Sequence, residues 1–229
     1  MPGFWAMRDK GNPVFDTPKR GELTYTPLHN GTAEKQAMNT NLYEIRWHGR
    51  GGQGAITAAK ITAQAAYLDG YHGVTAAPSF GAERRGAPVS ASTRIARAPV
   101  MVMSQVEEPD VVVVLDHTLL KYKDVTSGLR PGGWLVVNSW QGPEEIKIKG
   151  NFSIATADAT RVCRELGLII AGLTVVNTAI LGAFVRATEM VDMASVEKVI
   201  RERFSDSAVD MNLAAIRKTC EITRLEKAG

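Results

Sequence analysis

The apolar positions of the chain alternate between short β-branched runs and longer stretches with helical spacing. Residues 110–116, DVVVVLD, are apolar on both faces, which is typical of a central parallel strand with helices on either side. Residues 134–138 repeat this pattern after a Pro-Gly-Gly turn, and residues 43–47 and 89–95 also have strand character. Strands that alternate with helices predict an α/β fold, a Rossmann-like, mostly parallel sheet flanked by helices.

Further elements follow from local signals. An alanine-rich helix is expected over about residues 53–68, a short strand near residues 72–76 and another within residues 148–156. Asp158 is expected to cap a helix that Gly167 stops. The C-terminal part is predicted to be helical because two apolar sets recur at helical spacing, Val196, Val199, Ile200 and Phe204, then Val209, Leu213, Ile216 and Cys220.

One stretch, residues 166–185, is uncharged over a length that could span a bilayer. Three glycines and the polar residues Thr174, Asn177 and Thr178 dilute its hydrophobicity. We therefore expect no membrane span, but a buried strand or loop up to Val176 and an apolar helix that starts near Asn177. Such a helix belongs in a core or against another subunit.

The first 42 residues differ from the rest of the chain. They carry four of the ten prolines and little apolar periodicity, which predicts an extended N-terminal arm, followed by one α/β domain over residues 43–229. The N-terminus also lacks an apolar run of signal-peptide length, so export is not expected.

Composition narrows the function classes. The 27 basic and 24 acidic residues give a net charge of +3, and 45% of the residues are hydrophobic, which disfavours both a disordered chain and a nucleic-acid-binding protein. Cys163 and Cys220 are far apart in the sequence, so a disulfide framework, a structural zinc site or an iron–sulfur cluster held by this chain alone is not expected. A cytoplasmic protein is the simpler interpretation.

The first candidate site is a G-x-G-x-x-G motif at a strand-to-helix junction. Glycines at such a junction let backbone N–H groups and a helix N-terminus approach a phosphate. A dinucleotide site would also need an acidic ribose partner about 20 residues later, where the chain has TAAP at residues 75–78. Three roles remain possible for the motif: contact with a phosphate or coenzyme, a subunit interface, or a purely structural tight turn. Its residues are Gly49, Arg50, Gly51, Gly52, Gln53 and Gly54.

The second candidate site is the loop PSFGAERRGAP, residues 78–88, between two strands. In an open parallel sheet this loop and the glycine motif would lie at the same carboxyl edge. Its two arginines could bind phosphates or carboxylates bidentately, with a glutamate orienting one of them. The alternative is a solvated charged turn. The candidate residues are Ser79, Glu83, Arg84 and Arg85.

No catalytic constellation accompanies these motifs. The sequence has no Ser/His/Asp order, H-E-x-x-H or Walker loop that stands out. His48, His72 and His117 are scattered, and each is interpreted as a structural or surface histidine. No catalytic residue is therefore assigned.

Together the motifs resemble a known family. In order and spacing, the chain resembles the gamma subunit of pyruvate and other 2-oxoacid:ferredoxin oxidoreductases. The motifs that carry this resemblance are GRGGQG after a strand, then PSFGAERRGAPVSASTRI, EEPDVVVVLD and GGWLVVNS. The resemblance runs from about Tyr43 to the C-terminus and includes NTAILGAFVRATEMVDMASVEKVIRERF. The N-terminal extension departs from this pattern.

The resemblance implies a multisubunit enzyme that oxidatively decarboxylates a 2-oxoacid to an acyl-CoA. Thiamine pyrophosphate, magnesium and iron–sulfur clusters would be held by alpha, beta and delta-type partners and none by this chain alone, which would have no independent activity. Electrons would pass to ferredoxin or, through a flavin subunit, to NAD. The substrate would be pyruvate or a bulkier 2-oxoacid such as phenylglyoxylate. The two motifs would face the subunit junction and contribute to holding coenzyme A.

Two other functions remain open at this point. One is a free-standing NAD-binding Rossmann oxidoreductase, which would need an acidic ribose partner and a catalytic base. The other is a purely structural assembly subunit without a ligand, which would keep the apolar helix but tolerate changes in both motifs.

Overall fold

The computed structural model describes residues 42–79, 86–100, 104–122, 125–170 and 173–228. The predicted arm falls, apart from its last residue, outside this part of the chain, and its boundary stays a prediction. The described residues form nine strands and five α-helices, in the order β1 Tyr43–Arg50, α1 Ala55–Leu68, β2 Gly73–Pro78, β3 Pro88–Ala96, β4 Val111–Val114, β5 Trp134–Asn138, β6 Ser153–Ala157, α2 Ala159–Glu165, β7 Ile169–Ile170, β8 Leu173–Thr174, α3 Ala179–Thr188, α4 Met193–Arg203, α5 Asp206–Ile222 and β9 Arg224–Glu226.

Seven of these strands form one sheet in the order β2-β3-β1-β4-β5-β6-β9. β1, β4, β5 and β6 pair in parallel, whereas β3 and β9 pair antiparallel to their neighbours. Because β2 is antiparallel to β3, it runs in the same direction as β1. The sheet is therefore mixed but mostly of one direction, and the predicted α/β fold is confirmed.

Alternate residues of β4 explain its unbroken run of valines. Val111 and Val113 belong to the core beneath the helices, with Trp47 of β1, Phe184 of α3 and Ile216 of α5. Val112 and Val114 face the other side of the sheet and pack in a second core, whose other members are Leu119, Val125, Leu135, Val137, Ile146, Phe152 and Ile154. The four valines are fully buried, as a central strand requires.

The two faces of the sheet are covered differently. Residues of all five helices pack in the first core. The second core is closed, in the part of the chain that the structure describes, by irregular segments that include two short 3₁₀ turns, His117–Lys121 and Pro143–Glu145. The sequence predicts helices on both faces of the sheet, whereas the described helices cover one face. The β-branched run predicts burial on both faces but not which element provides it.

The uncharged stretch contains the expected strands and helix, but the segment before Val176 is not buried as predicted, since Ile169 is 52% exposed. It contains the short strands β7 and β8, and then α3, whose residues from Ala179 to Phe184 are buried. A Cβ on Gly182 would lie 2.0 Å from the Ile216 carbonyl oxygen, so glycine permits α3 to lie close against α5. The apolar helix therefore lies in the core. Within the described residues, no helix is long and apolar enough to cross a membrane.

Candidate functional site

The glycine motif lies at the carboxyl edge of the sheet, between β1 and α1. Gly49 and Arg50 are still part of β1, opposite Val89 and Pro88 of β3, so the turn itself is residues 51–54. Gly52 and Gly54 have φ angles of 95° and 82°, in the left-handed region that favours glycine. The predicted helix start at residue 53 is thus delayed to Ala55 by this backbone geometry.

The turn is joined to the end of the second motif. The Gly51 N–H donates to the Ala87 carbonyl at 2.8 Å, and the Gly86 N–H donates to the Gly51 carbonyl at 3.1 Å. At the loop's other end, the Ser79 N–H donates to the Ser90 carbonyl at 2.9 Å. The described ends of the loop therefore lie at the same edge of the sheet as the glycine turn, as predicted. Glu83, Arg84 and Arg85 lie outside the described residues.

Arg50 is engaged with protein groups on three sides. Its Nε lies 2.8 Å from Asp116 Oδ2, and its terminal nitrogens donate to Thr118 Oγ1 at 2.8 Å and to the Gly86 carbonyl at 3.1 Å. The Gln53 side chain completes the arrangement, since its Oε1 accepts from the Arg50 N–H at 2.8 Å and its Nε2 lies 3.4 Å from Asp116 Oδ2. The guanidinium thus fastens the turn to the residues that follow β4.

Asp116 is the counter-charge of this arrangement. Burial by itself raises the pKa of Asp116, but hydrogen bonds from Thr118 and Arg50 and the Arg50 charge outweigh it and leave the pKa below its usual value. Asp116 therefore stays ionised and balances Arg50. Sequence reasoning missed both Asp116 and Thr118, although an acidic residue directly after a buried parallel strand is at the edge where ligands bind.

The N-terminus of α1 is open. Gly54 at the N-cap has no side chain to accept a hydrogen bond, and the first turn contains no acidic residue. Among the described residues, no acceptor pairs with the N–H groups of Ala55, Ile56 or Thr57. Unpaired N–H groups at the positive end of a helix dipole attract anions.

A separate cleft of about 190 Å³ lies on the sheet face opposite the helices. Its polar lining includes His48, whose Nε2 accepts from Arg46 Nε at 3.1 Å. Burial, followed by the Arg46 charge, lowers the pKa of His48 to about 4, so this histidine is neutral at pH 7. The remaining lining residues are Ser79, Ser90, Ser92, Gln105 and Val106. Ser79 therefore borders this cleft.

The remaining histidines and the cysteine considered in the sequence analysis have no environment that indicates catalysis. His72 is exposed and contacts the Tyr67 ring edge-on, and His117 begins a 3₁₀ turn. Cys163 is buried, which raises its pKa to about 12, so it is not a reactive thiol. Within the described ranges, no group of three or more His, Cys, Asp or Glu residues could hold a metal ion.

Comparison with known proteins gives the family. Residues 44–222 match the model of the pyruvate ferredoxin/flavodoxin oxidoreductase family. The chain is 49% identical over 185 residues to the pyruvate/ketoisovalerate oxidoreductases common subunit gamma of Thermococcus litoralis, covering 80% of this chain and 97% of that protein. It is 46% identical over 158 residues to the pyruvate synthase subunit PorC of Methanosarcina barkeri, covering 69% of this chain and 84% of the relative.

A solved structure agrees. The crystal structure of pyruvate oxidoreductase subunit PORC from Thermotoga maritima superposes with a TM-score of 0.70 at 38% identity, covering 81% of this chain and 99% of that one. The fold, the glycine turn and these comparisons together define the class of protein, a Rossmann-like subunit of a multisubunit oxidoreductase. The chain belongs to the pyruvate ferredoxin/flavodoxin oxidoreductase family, as one of its gamma subunits.

Proposed function

We propose that this gamma subunit serves a CoA-acylating 2-oxoacid:ferredoxin oxidoreductase by holding the phosphates of coenzyme A at the carboxyl edge of its sheet. The observation that carries the proposal is the open N-terminus of α1, which follows a turn that glycines keep free of side chains. Coenzyme A is an anion with several phosphates, and backbone N–H groups at a helix N-terminus are donors for such groups.

Arg50 is not proposed to bind a phosphate of coenzyme A directly. Because Asp116 balances its charge, Arg50 fixes the shape of the turn rather than adding a full positive charge to it. Positive charge would instead come from Arg84 and Arg85, in the loop whose end at Gly86 is hydrogen-bonded to the turn. The backbone donors and these arginines would together orient coenzyme A for acyl transfer.

The complex proposed around this chain has further components. Thiamine pyrophosphate with magnesium supplies decarboxylation chemistry, and iron–sulfur clusters carry the electrons to ferredoxin or, through a flavin subunit, to NAD. We assign these cofactors to alpha, beta and delta-type partners, and we place the complex in the cytoplasm. Among the described residues, no group of three or more His, Cys, Asp or Glu residues could hold a metal ion.

The test uses the assembled complex carrying Arg84→Ala in this chain. A direct contact should raise the KM for coenzyme A and leave the KM for the 2-oxoacid unchanged. The matched control is Arg97→Ala, an exposed arginine that stacks on Tyr71 beyond the opposite end of β3. An unchanged KM for coenzyme A, with a complex that dissociates on gel filtration, would instead support a purely structural assembly role.

The partners are tested by isolating the native chain anaerobically and identifying the subunits that co-purify, with their thiamine, iron and flavin content. Thiamine- and cluster-bearing chains are expected, and a flavin subunit among them would indicate NAD as the final acceptor. A chain that emerges alone and binds a nicotinamide cofactor tightly would overturn the proposal.

A further inference from the structure

The C-terminal strand β9 forms one open edge of the seven-stranded sheet. It pairs antiparallel with β6 on one side, and no strand pairs with its other side in the part of the chain that the structure describes. Its residues, Arg224, Leu225 and Glu226, are all exposed. An open edge presents backbone N–H and C=O groups to which another strand can add.

The side chains of β9 carry opposite charges on either side of a leucine. Because successive side chains of a strand point to opposite faces, Arg224 and Glu226 share one face and Leu225 lies on the other. The Arg224 guanidinium donates to the Trp140 carbonyl at 2.8 Å, but within the described ranges neither charged side chain forms an ion pair. Both charges are therefore available to a further strand at this edge.

A second copy of β9 matches this charge pattern. In an antiparallel pair of strands with two-fold symmetry, one residue lies opposite its own copy. With Leu225 at that position, Arg224 of each copy lies opposite Glu226 of the other. With Arg224 or Glu226 at that position instead, like charges would face each other, which is unfavourable. The charges therefore select one register, centred on Leu225.

Charged side chains on an edge strand commonly protect it against pairing with other chains. Such protection fails against a second copy of β9, since that copy offers the opposite charge at each charged position. The surface beside the strand also has an apolar component. Trp140, whose carbonyl accepts from Arg224, is 64% exposed, and exposed aromatic residues are enriched in protein interfaces.

We propose that β9 is a self-association site, at which two copies of this chain pair their β9 strands antiparallel with Leu225 opposite Leu225. The pairing joins two seven-stranded sheets into one continuous sheet. It goes beyond the proposed coenzyme A function and does not depend on it. Because only three residues of each copy pair, the isolated chain should dimerise weakly, with a Kd of about 0.1–1 mM.

The test is sedimentation equilibrium of the full 229-residue chain at concentrations that span this Kd. Arg224→Glu places acidic side chains opposite acidic ones, and Glu226→Arg places basic side chains opposite basic ones. Each variant alone should therefore raise the Kd about tenfold or more.

Combining the two variants shows whether the loss comes from charge or from misfolding. In an equimolar mixture of the Arg224→Glu and Glu226→Arg chains, acidic positions of one chain face basic positions of the other. The mixture should therefore associate at least as tightly as the wild type. A chain carrying both substitutions exchanges the two charges and should recover the wild-type Kd.

Leu225→Cys tests the register, since the two copies of this residue lie directly opposite each other, within reach of a disulfide. Met211→Cys is the matched control, at an exposed apolar residue of α5. Under mild oxidation, Leu225→Cys should form a covalent dimer faster than Met211→Cys or the wild type, which has Cys163 and Cys220.

Three results would each overturn the inference. One is a wild-type chain that stays monomeric up to about 1 mM. The second is unchanged association in both single charge variants. The third is equal cross-linking of Leu225→Cys and Met211→Cys.

Discussion

The guanidinium of Arg50 lies 2.8 Å from the carboxylate of Asp116, across 66 positions of sequence. The pair joins the end of β1 to the residue that caps the 3₁₀ turn after β4, since Asp116 also accepts from the Thr118 N–H at 2.9 Å. It therefore holds together two of the loops that form the carboxyl edge. Because of this contact, Arg50, the one arginine of the glycine motif, stabilises the turn and is not assigned as a ligand-binding residue.

A double-mutant cycle measures this support. Arg50→Ala and Asp116→Ala should show a coupling of about 1 kcal/mol in the free energy of unfolding, modest because both side chains are partly exposed to solvent. Asp116→Ala alone should cost more than Arg50→Ala, because it also removes the cap of the 3₁₀ turn. Urea unfolding of the four proteins gives the coupling.

The control cycle uses Arg130 and Glu108, whose charged groups are 3.9 Å apart and whose glutamate is 73% exposed. Coupling there should be near zero. Equal coupling in both cycles would show that the Arg50–Asp116 geometry contributes nothing specific.

Much of the fold could be predicted from periodicity, because the elements concerned are set by local pattern. β5 was expected over the residues where it is found, and Asp158 does accept from the Arg161 N–H, with Gly167 at a φ of 73° after α2. The strand β9 was missed. It is three residues long, too short for an alternating pattern to appear.

The composition of the candidate site was less predictable. The glycine motif and the loop were found because glycines and adjacent charges are visible locally. Asp116 and Thr118 were not assigned, since they meet Arg50 only through the parallel pairing of β1 with β4. The position of Asp116 directly after a buried strand indicates the edge where ligands bind, but not that Arg50 is its partner.

Thr93 and Thr156 are both fully buried, yet replacement by valine should have opposite effects. Thr93 Oγ1 accepts from Trp47 Nε1 at 3.0 Å and donates to the Ala59 carbonyl at 3.0 Å, whereas Thr156 Oγ1 has no hydrogen-bond partner. Thr93→Val should lower the free energy of unfolding by about 1–3 kcal/mol, because it leaves a buried indole N–H unpaired.

Thr156→Val removes a hydroxyl that is buried without compensation, so it should be neutral or stabilising by up to about 1 kcal/mol. Thermal and urea unfolding of the two variants, which differ from wild type by the same atoms, checks the sign. Loss of stability in Thr156→Val equal to that in Thr93→Val would contradict the assigned hydrogen bonds.

The pH dependence of stability should contain a contribution from His48. Its pKa is about 4 in the folded chain, against a usual value of 6.5, because it is buried beside Arg46. As the pH falls below about 6.5, the unfolded chain takes up this proton first, so stability decreases progressively down to about pH 4. The contribution should be roughly 2 kcal/mol between pH 7 and pH 4.5.

His48→Gln keeps an acceptor for Arg46 and removes the titration, so the difference between its urea midpoints at pH 7 and pH 4.5 should be smaller than that of the wild type. His72→Gln is the control for the substitution itself, made at an exposed histidine. A His48→Gln protein that loses stability over this range as steeply as the wild type would show that His48 is not the group responsible.

The start of α4 is held by Asp69, a residue distant in the sequence. Asp192 occupies the N-cap position but makes no side-chain capping bond. Instead, Asp69, which follows α1, accepts from the Asp192 N–H at 2.7 Å and from the Ser195 hydroxyl. Asp69→Ala should therefore cost about 1–2 kcal/mol of stability, the range of a lost N-cap.

Asp192→Ala, at the N-cap position itself, should change stability by less than about 0.5 kcal/mol. Hydrogen exchange gives the spatial readout, since Asp69→Ala should lower the protection of amides in the first turns of α4 and at the C-terminal end of α1, the two elements that Asp69 joins. If Asp192→Ala proves the more destabilising variant, the helix is capped locally and the link between α1 and α4 is incidental.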